Sequence, residues 1–87
     1  MGTLVRLLSF ERGRASLIEV TLAADAKAAN RDIVELDFPR DSTVVAVLRE
    51  ERVNFPRGDT LLLPGDEVLV LVTPDSEADV QAILTER

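Results

Sequence analysis

The amino-acid sequence predicts an α+β fold, a small sandwich of order β-α-β-β-β-α in which helices pack on a mostly antiparallel sheet. Three observations indicate this class. Apolar and polar residues alternate in Ala15–Ala24, which is typical of a half-buried strand. Glu67–Val72 is an apolar run rich in β-branched side chains. Val80, Ile83 and Leu84 have the spacing of one helix face.

The composition excludes several classes of function. The chain has 87 residues, enough for one domain, and no Cys or His. Thiolate nucleophiles, Cys/His zinc sites and the usual general base are therefore missing, and we expect no enzyme. Three phenylalanines as the only aromatic residues and a net charge of −6 argue against nucleic-acid binding. No apolar run reaches the roughly 18–20 residues of a membrane helix, so no direct membrane insertion is expected.

Residues 1–14 are predicted to be a lead-in or linker segment, and residues 15–87 the domain proper. The segment from Thr3 to Arg14 carries leucines at helical spacing and fits either a short helix or a strand. Gly13 ends it. In either form, its apolar side chains require another element to cover them.

A strand and then an amphipathic helix are predicted to follow. The apolar face of the strand consists of Ile18, Val20 and Leu22. In Asp25–Leu36, apolar side chains recur at i, i+4 and i+7 among alanines and charged residues, which predicts a short helix. Phe38-Pro39 ends this helix, because the residue before a proline disfavours the helical conformation.

The next predicted strand, Thr43–Leu48, is apolar on both faces. Such a strand is buried on both sides, either by its own fold or by a partner. Because a domain of this size covers its apolar surface only thinly, we expect a homodimer. A short return strand, Val53–Phe55, and a turn at Pro56–Asp59 are predicted to follow.

The C-terminal part begins with a turn. Pro64-Gly65-Asp66 predicts a type II turn, with proline at its second position and glycine at its third. This turn leads into the strand Glu67–Val72. The last helix is predicted to begin near Ser76, with Asp79 three positions later completing a capping box.

Charged residues offer few candidates for chemistry. Asp25, Asp32 and Glu35 are interpreted as a solvated face, since no base, nucleophile or set of metal ligands accompanies them. Asp66 is interpreted as a turn residue, with a cation site as the alternative. Arg49 ends an apolar strand, and its guanidinium could form a salt bridge, within the chain or across a dimer, or contact a ligand.

The order of the elements and several local segments resemble the TrkA C-terminal (RCK-C) domain family of potassium-channel regulators. The segments are Ile33–Pro39, Val44–Arg49, Pro56–Leu61 and Pro64–Val70. The last two are similar to the family pattern of Pro-x-x-Asp-Thr followed by Gly-Asp-x-Leu-x-Val. Where the family has a glycine opening its first helix, this chain has Asn30, a residue that tolerates a left-handed backbone. The resemblance covers nearly the whole chain.

The resemblance implies a non-catalytic regulatory domain that senses a small ligand for a potassium transport system. Some members of the family bind cyclic di-AMP between two paired C-terminal domains. It therefore implies cyclic di-AMP or another nucleotide as ligand, in a homodimer cleft, and no cofactor. By position, the implied cleft residues are Pro39, Arg40, Val44, Val45, Ala46, Arg49, Asn54, Phe55 and Pro56.

The same resemblance implies a partner and a location. An upstream nucleotide-binding domain would join the chain to a membrane potassium channel or transporter subunit, at the cytoplasmic face of the membrane. No Gly-x-Gly-x-x-Gly occurs in the chain, so it is not expected to bind a dinucleotide in the Rossmann manner. The alternative is a structural or dimerisation domain of another permease or antiporter, with no small-molecule ligand.

Overall fold

A computed structural model describes residues 3–87 as a five-stranded sheet, a two-stranded sheet and one α-helix. The elements are β1 (Thr3–Phe10), β2 (Ala15–Thr21), β3 (Arg31–Asp32), β4 (Ser42–Arg49), β5 (Arg52–Asn54), β6 (Leu61–Leu62), β7 (Glu67–Val72) and α1 (Pro74–Thr85). The large sheet has the order β1-β2-β7-β4-β5, and every neighbouring pair is antiparallel. Strands β3 and β6 form the small antiparallel sheet. The predicted α+β class is confirmed.

The core lies between α1 and one face of the large sheet, which we call the inner face. Helix α1 contacts the three central strands β2, β7 and β4. The buried side chains on the two sides of this contact are Ile18, Val20, Val47, Val68, Val70, Val72, Val80 and Leu84. Since alternate strand residues point to opposite faces, the period-2 pattern correctly predicted the inward side of β2. The stripe predicted on the last helix is also confirmed.

The start of α1 differs from its prediction. Thr73 is the N-cap, and its hydroxyl accepts a hydrogen bond from the Ser76 backbone N–H. In return, the Ser76 hydroxyl accepts one from the Thr73 N–H at 2.9 Å. The predicted Ser76–Asp79 box is therefore wrong, because Pro74 takes the first helical position, which suits its fixed φ and missing N–H. The Ser76 hydroxyl also donates to the Asp41 carbonyl at 2.8 Å and links α1 to the loop before β4.

The helix predicted for Asp25–Leu36 is wrong. The structure has turns, then β3, and then a 3₁₀ turn at Ile33–Leu36. The backbone N–H groups of Asn30, Ile33 and Val34 donate to carbonyls of residues 58–62, so they are not available for helical hydrogen bonds. Asn30 has φ of +67°, as its tolerance of the left-handed region allows. Tertiary pairing thus overrides the local helical pattern.

The lead-in is a strand. Thr3–Phe10 pairs with β2 along an edge of the large sheet, while residues 1 and 2 of the predicted lead-in lie outside the described residues. The domain boundary at residue 14 stays a prediction. The type II turn is confirmed, because Gly65 has φ of +86° and the Asp66 N–H donates to the Leu63 carbonyl at 3.1 Å.

Candidate functional site

The first half of β4 has a free edge. On one side β4 pairs with β7 along its length, but on the other side β5 reaches only Val47–Arg49. A register shift at Val45 marks a β-bulge in the same half of the strand. Val44 and Val45 are half-buried, whereas Ala46 and Val47 are buried. The predicted burial on both sides therefore holds for the middle of β4 but not for its beginning.

A groove of about 180 Å³ runs beside this free edge, and we call it the edge groove. Its lining comes from the 3₁₀ turn, the start of β4 and the loop after β5, and consists of Ile33, Thr43, Val44, Pro56, Arg57 and Gly58. The loop is fixed by hydrogen bonds from the Thr60 N–H to the Arg57 carbonyl and from the Val34 N–H to the Gly58 carbonyl. Two predicted site residues, Val44 and Pro56, therefore meet in one site.

A second groove, of about 300 Å³, lies on the other side of Thr43, and we call it the end groove. It is lined mainly by apolar groups, including Phe10, Ala15 and Leu71, together with Arg40. Arg40 forms none of the ion pairs found among residues 3–87. The predicted residue Arg40 thus lies near the edge groove but faces a different surface of the sheet.

Other predicted residues lie apart from the edge groove. Pro39 lines a different groove, beside the C-terminal half of α1. The Asn54 side-chain amide donates to the Val47 carbonyl at 3.4 Å, which links β5 to β4. Phe55 is 80% exposed and does not contribute to the lining of the edge groove. The predicted site residues therefore lie on several separate surfaces of the domain.

Arg49 forms a salt bridge within the chain. Its Nε and Nη2 donate to the two carboxylate oxygens of Asp66 at 2.8 and 2.6 Å. Nη2 also donates to the Leu61 carbonyl, and Asp66, which is 1% exposed, accepts a further hydrogen bond from the Leu63 N–H. The hydrogen bond to Asp66 raises the pKa of Arg49. These hydrogen bonds agree with the interpretation of Asp66 as a turn residue. The ligand contact of Arg49 stays a prediction.

A larger surface, which was not predicted from the sequence, is the face of the sheet opposite α1, and we call it the open face. The register places on it Val5, Leu8, Phe10, Leu17, Leu48, Val53, Leu69 and Leu71. Several of these side chains are well exposed, with Leu8 at 55% and Val5 at 49%. The signal was present in β2 and β7, where apolar residues occupy both faces.

Comparison with known proteins decides the family. The model of the TrkA-C domain matches residues 17–85. The chain belongs to the TrkA-C domain family. It is also 36% identical over 84 residues to the Trk system potassium uptake protein TrkA of Mycobacterium tuberculosis. That alignment covers 97% of this chain but only 38% of the relative, so the chain spans well under half the length of that TrkA protein.

Solved structures give the same fold for this TrkA-C domain. The GsuK RCK domain matches with a TM-score of 0.82 at 17% identity, covering 98% of this chain and 19% of that one. The RCK_C domain dimer of S. agalactiae BusR, solved in complex with c-di-AMP, matches with a TM-score of 0.65 at 20% identity. This second match covers 76% of this chain and 91% of the BusR chain. At such identities the likeness extends to the fold alone.

Proposed function

We propose that this TrkA-C domain is a non-catalytic, ligand-sensing regulatory domain of a potassium transport system, which dimerises and transmits a ligand-dependent reorientation to a channel or transporter. The observation that carries the proposal is the edge groove beside the unpaired half of β4. The relatives support the potassium system, since they are Trk potassium uptake proteins.

The size of the edge groove favours a site shared between two copies. Pockets for small ligands usually measure about 300–1,000 Å³. One groove of about 180 Å³ is too small for a cyclic dinucleotide, but two apposed grooves fall within that range. A two-fold dimer places the same surface of each copy against the other and doubles the groove. We therefore expect one ligand per dimer.

The lining of the edge groove suits a nucleotide. Ile33, Val44 and Pro56 offer apolar surface to the face of a base. Thr43 carries a hydroxyl, and Arg57 is exposed and forms none of the ion pairs found among residues 3–87. A guanidinium without a carboxylate partner suits a phosphate, to which it can donate two parallel hydrogen bonds. Cyclic di-AMP, which the BusR relative binds, combines both chemistries.

Transmission requires that the ligand prefer one relative orientation of the two copies, since a ligand shifts an equilibrium only by its differential affinity. Strand β4 is paired with β7, and the Ser76–Asp41 hydrogen bond connects the loop before β4 to α1. A change at the edge groove would therefore move the domain as one body. We propose that an upstream domain passes this movement to a membrane partner at the cytoplasmic face. Within residues 3–87, no helix is long and apolar enough to cross a bilayer.

A second candidate is a structural or dimerisation domain of another permease or antiporter, without a small ligand. The open face favours this candidate, because exposed apolar patches mark interaction surfaces whether or not a ligand is present.

Titration with cyclic di-AMP, followed by calorimetry and by light scattering for mass, tests the first candidate. We expect one ligand per two chains, and loss of binding in Val44→Glu, which puts a charge in the groove. The matched control is Val53→Glu, an exposed site on β5 outside the groove, where binding should persist. One ligand per single chain, or no heat with any nucleotide at millimolar concentration, would contradict the proposal.

A further inference from the structure

We propose that the open face is a second self-association surface, on which two copies pack face to face with their strands antiparallel and Arg40 of each copy opposite Glu19 and Glu67 of the other. This contact is separate from the edge groove and requires no ligand. It therefore goes beyond the proposed function.

The apolar part of the open face extends across the whole sheet. The cross-strand pairs Leu8–Leu17 and Leu17–Leu71 join β1, β2 and β7 along one row. Leu48 and Val53 continue the same face onto β4 and β5. The inner face of these strands is covered by α1, whereas among residues 3–87 no helix packs on the open face. Sheets with two apolar faces pack against another layer, and a second sheet is one of the stable solutions.

One end of the open face is acidic. Glu19 lies opposite Leu69, and Glu67 lies opposite Thr21, so the two glutamates are diagonal neighbours on adjacent strands. Neither takes part in an ion pair among residues 3–87. Burial, and then the charge of Glu67, raise the pKa of Glu19. Two carboxyl groups on an apolar face without a cation favour a partner that supplies one.

The other end of the open face carries the cation. Arg40 lines the end groove beside Phe10, Ala15 and Leu71, which belong to the open face. Asp41 lines the same groove, but its carboxylate forms no ion pair with Arg40. The nearby β1–β2 hairpin adds three exposed charges, which are Glu11, Arg12 and Arg14. Arg40, Arg12 and Arg14 therefore bring three positive charges to this end, against Glu11, Asp41 and, at the start of α1, Asp75.

The position of these charges selects one of the two simple face-to-face arrangements. A two-fold axis along the strands would stack the carboxyl pair of one copy over the same pair of the other. An axis across the strands reverses their direction and places the Arg40 end over the Glu19 and Glu67 end. Glu67 lies four residues from Leu71, so the two charged ends of the open face are roughly 13 Å apart along β7. Stacked sheets are about 10 Å apart. The side chains of an extended arginine on one sheet and a glutamate on the other can together span this distance between the sheets.

The size of the open face predicts a weak contact. Five strands spaced about 4.8 Å apart and six or seven residues long give a footprint of roughly 400–500 Å² per copy. A total near 1,000 Å² is at the low end for specific interfaces and is typical of transient ones. In a larger assembly, the open faces of copies that belong to different edge-groove pairs would meet at a high effective concentration, where a weak contact suffices.

Sedimentation velocity over a range of concentrations, without ligand, tests the proposal. We expect the wild-type chain to dimerise reversibly, and Arg40→Glu and Glu19→Arg each to raise the dissociation constant at least tenfold. The double variant, which swaps the two charges, should recover most of the wild-type affinity. A wild-type chain that stays monomeric at millimolar concentration, or a double variant that associates no better than the single ones, would overturn the proposal.

Two further variants separate this surface from the edge groove. Leu8→Glu places a charge at an exposed site on the open face, and we expect it to abolish ligand-free association but not cyclic di-AMP binding. Val34→Glu, at an exposed site outside the open face, is the matched control and should leave ligand-free association unchanged. If ligand-free association survives Leu8→Glu, the open face is not the surface. If cyclic di-AMP does not bind at all, the proposed function fails while the association test still stands.

Discussion

The two faces of the large sheet are built from the same strands and have similar composition, yet they differ in burial. On the inner face, Val20, Val68 and Val70 are fully buried beneath α1. On the open face, Leu17, Leu69 and Leu71 of the same two strands are only partly buried, and Val5 and Leu8 of the edge strand β1 are about half exposed. This difference in burial comes from the helix that covers the inner face and not from the strands. A strand that is apolar on both faces therefore predicts a packing layer on each side. It does not predict which of the two faces is covered by the chain's own helix.

The largest effect is expected where the helix meets the inner face. Leu84→Ala removes a fully buried side chain of α1 and should lower the free energy of unfolding by about 3 kcal/mol, since leucine-to-alanine changes in cores cost roughly 2–5 kcal/mol. Leu8→Ala, the same change on the open face, should cost less than about 0.5 kcal/mol. Urea denaturation of both variants, at a protein concentration low enough to keep the chain monomeric, measures the difference. Equal losses would show that the open face is already covered within the monomer.

An intermediate effect is expected at the Arg49–Asp66 pair, at the end of the inner face where β4 meets the turn before β7. Asp66→Ala leaves the guanidinium and the Leu63 N–H without their acceptors and should cost about 2–3 kcal/mol. Asp66→Asn retains an oxygen for the Leu63 N–H and should cost less. Thermal unfolding of the two variants checks this order. An alanine variant as stable as wild type would mean that the pair only orients the turn.

The smallest effect is expected on the open face. Because the pKa of Glu19 is raised in the folded chain, its charged form is disfavoured there. The folded state is therefore favoured below the ordinary pKa of 4.5 and loses that advantage as pH rises through the folded value. Glu19→Gln should stabilise the chain by roughly 0.2–1 kcal/mol at pH 7, the usual size of a like-charge cross-strand pair, with little effect near pH 4.

Unfolding curves at the two pH values, with Glu51→Gln as an exposed control, test this sign. Glu67 is the charged neighbour on the same face, while Arg6 of β1 lies over the inner face and pairs with Glu77. A stabilisation that is the same at both pH values would show that the effect is not electrostatic.

The sequence predicted the elements whose patterns are local. Glu67–Val72 is a strand over its whole predicted length, and the stripe on α1 faces the core. Pro64-Gly65 forms the expected turn because both residues restrict the backbone in the required way. The helix predicted for Asp25–Leu36 failed because its N–H groups donate to carbonyls 24 to 32 residues away, which a periodic pattern does not report.

The positions of the candidate site residues could be predicted only in part from the sequence. Val44 and Pro56, two of the nine residues that the resemblance implied, both line the edge groove, and their role in ligand binding stays a prediction. Pro39 lies beside α1, and Arg49 is paired with Asp66, because the positions of these residues depend on packing between distant segments. The open face escaped prediction for two reasons. Leu17 was placed on the side of a half-buried strand that faces away from the core, and Leu69 and Leu71 were taken together with their buried neighbours as one apolar run.

The two irregular points in the large sheet lie on its outermost free stretches, at Leu7 in β1 and at Val45 in β4. Each inserts an extra residue where another chain could otherwise continue the hydrogen-bonded ladder. Such interruptions protect natural sheets from strand-by-strand growth into fibrils. A sheet with many exposed leucine and valine side chains on one face can thus pack face to face with a second copy and still resist edge-to-edge, amyloid-like extension.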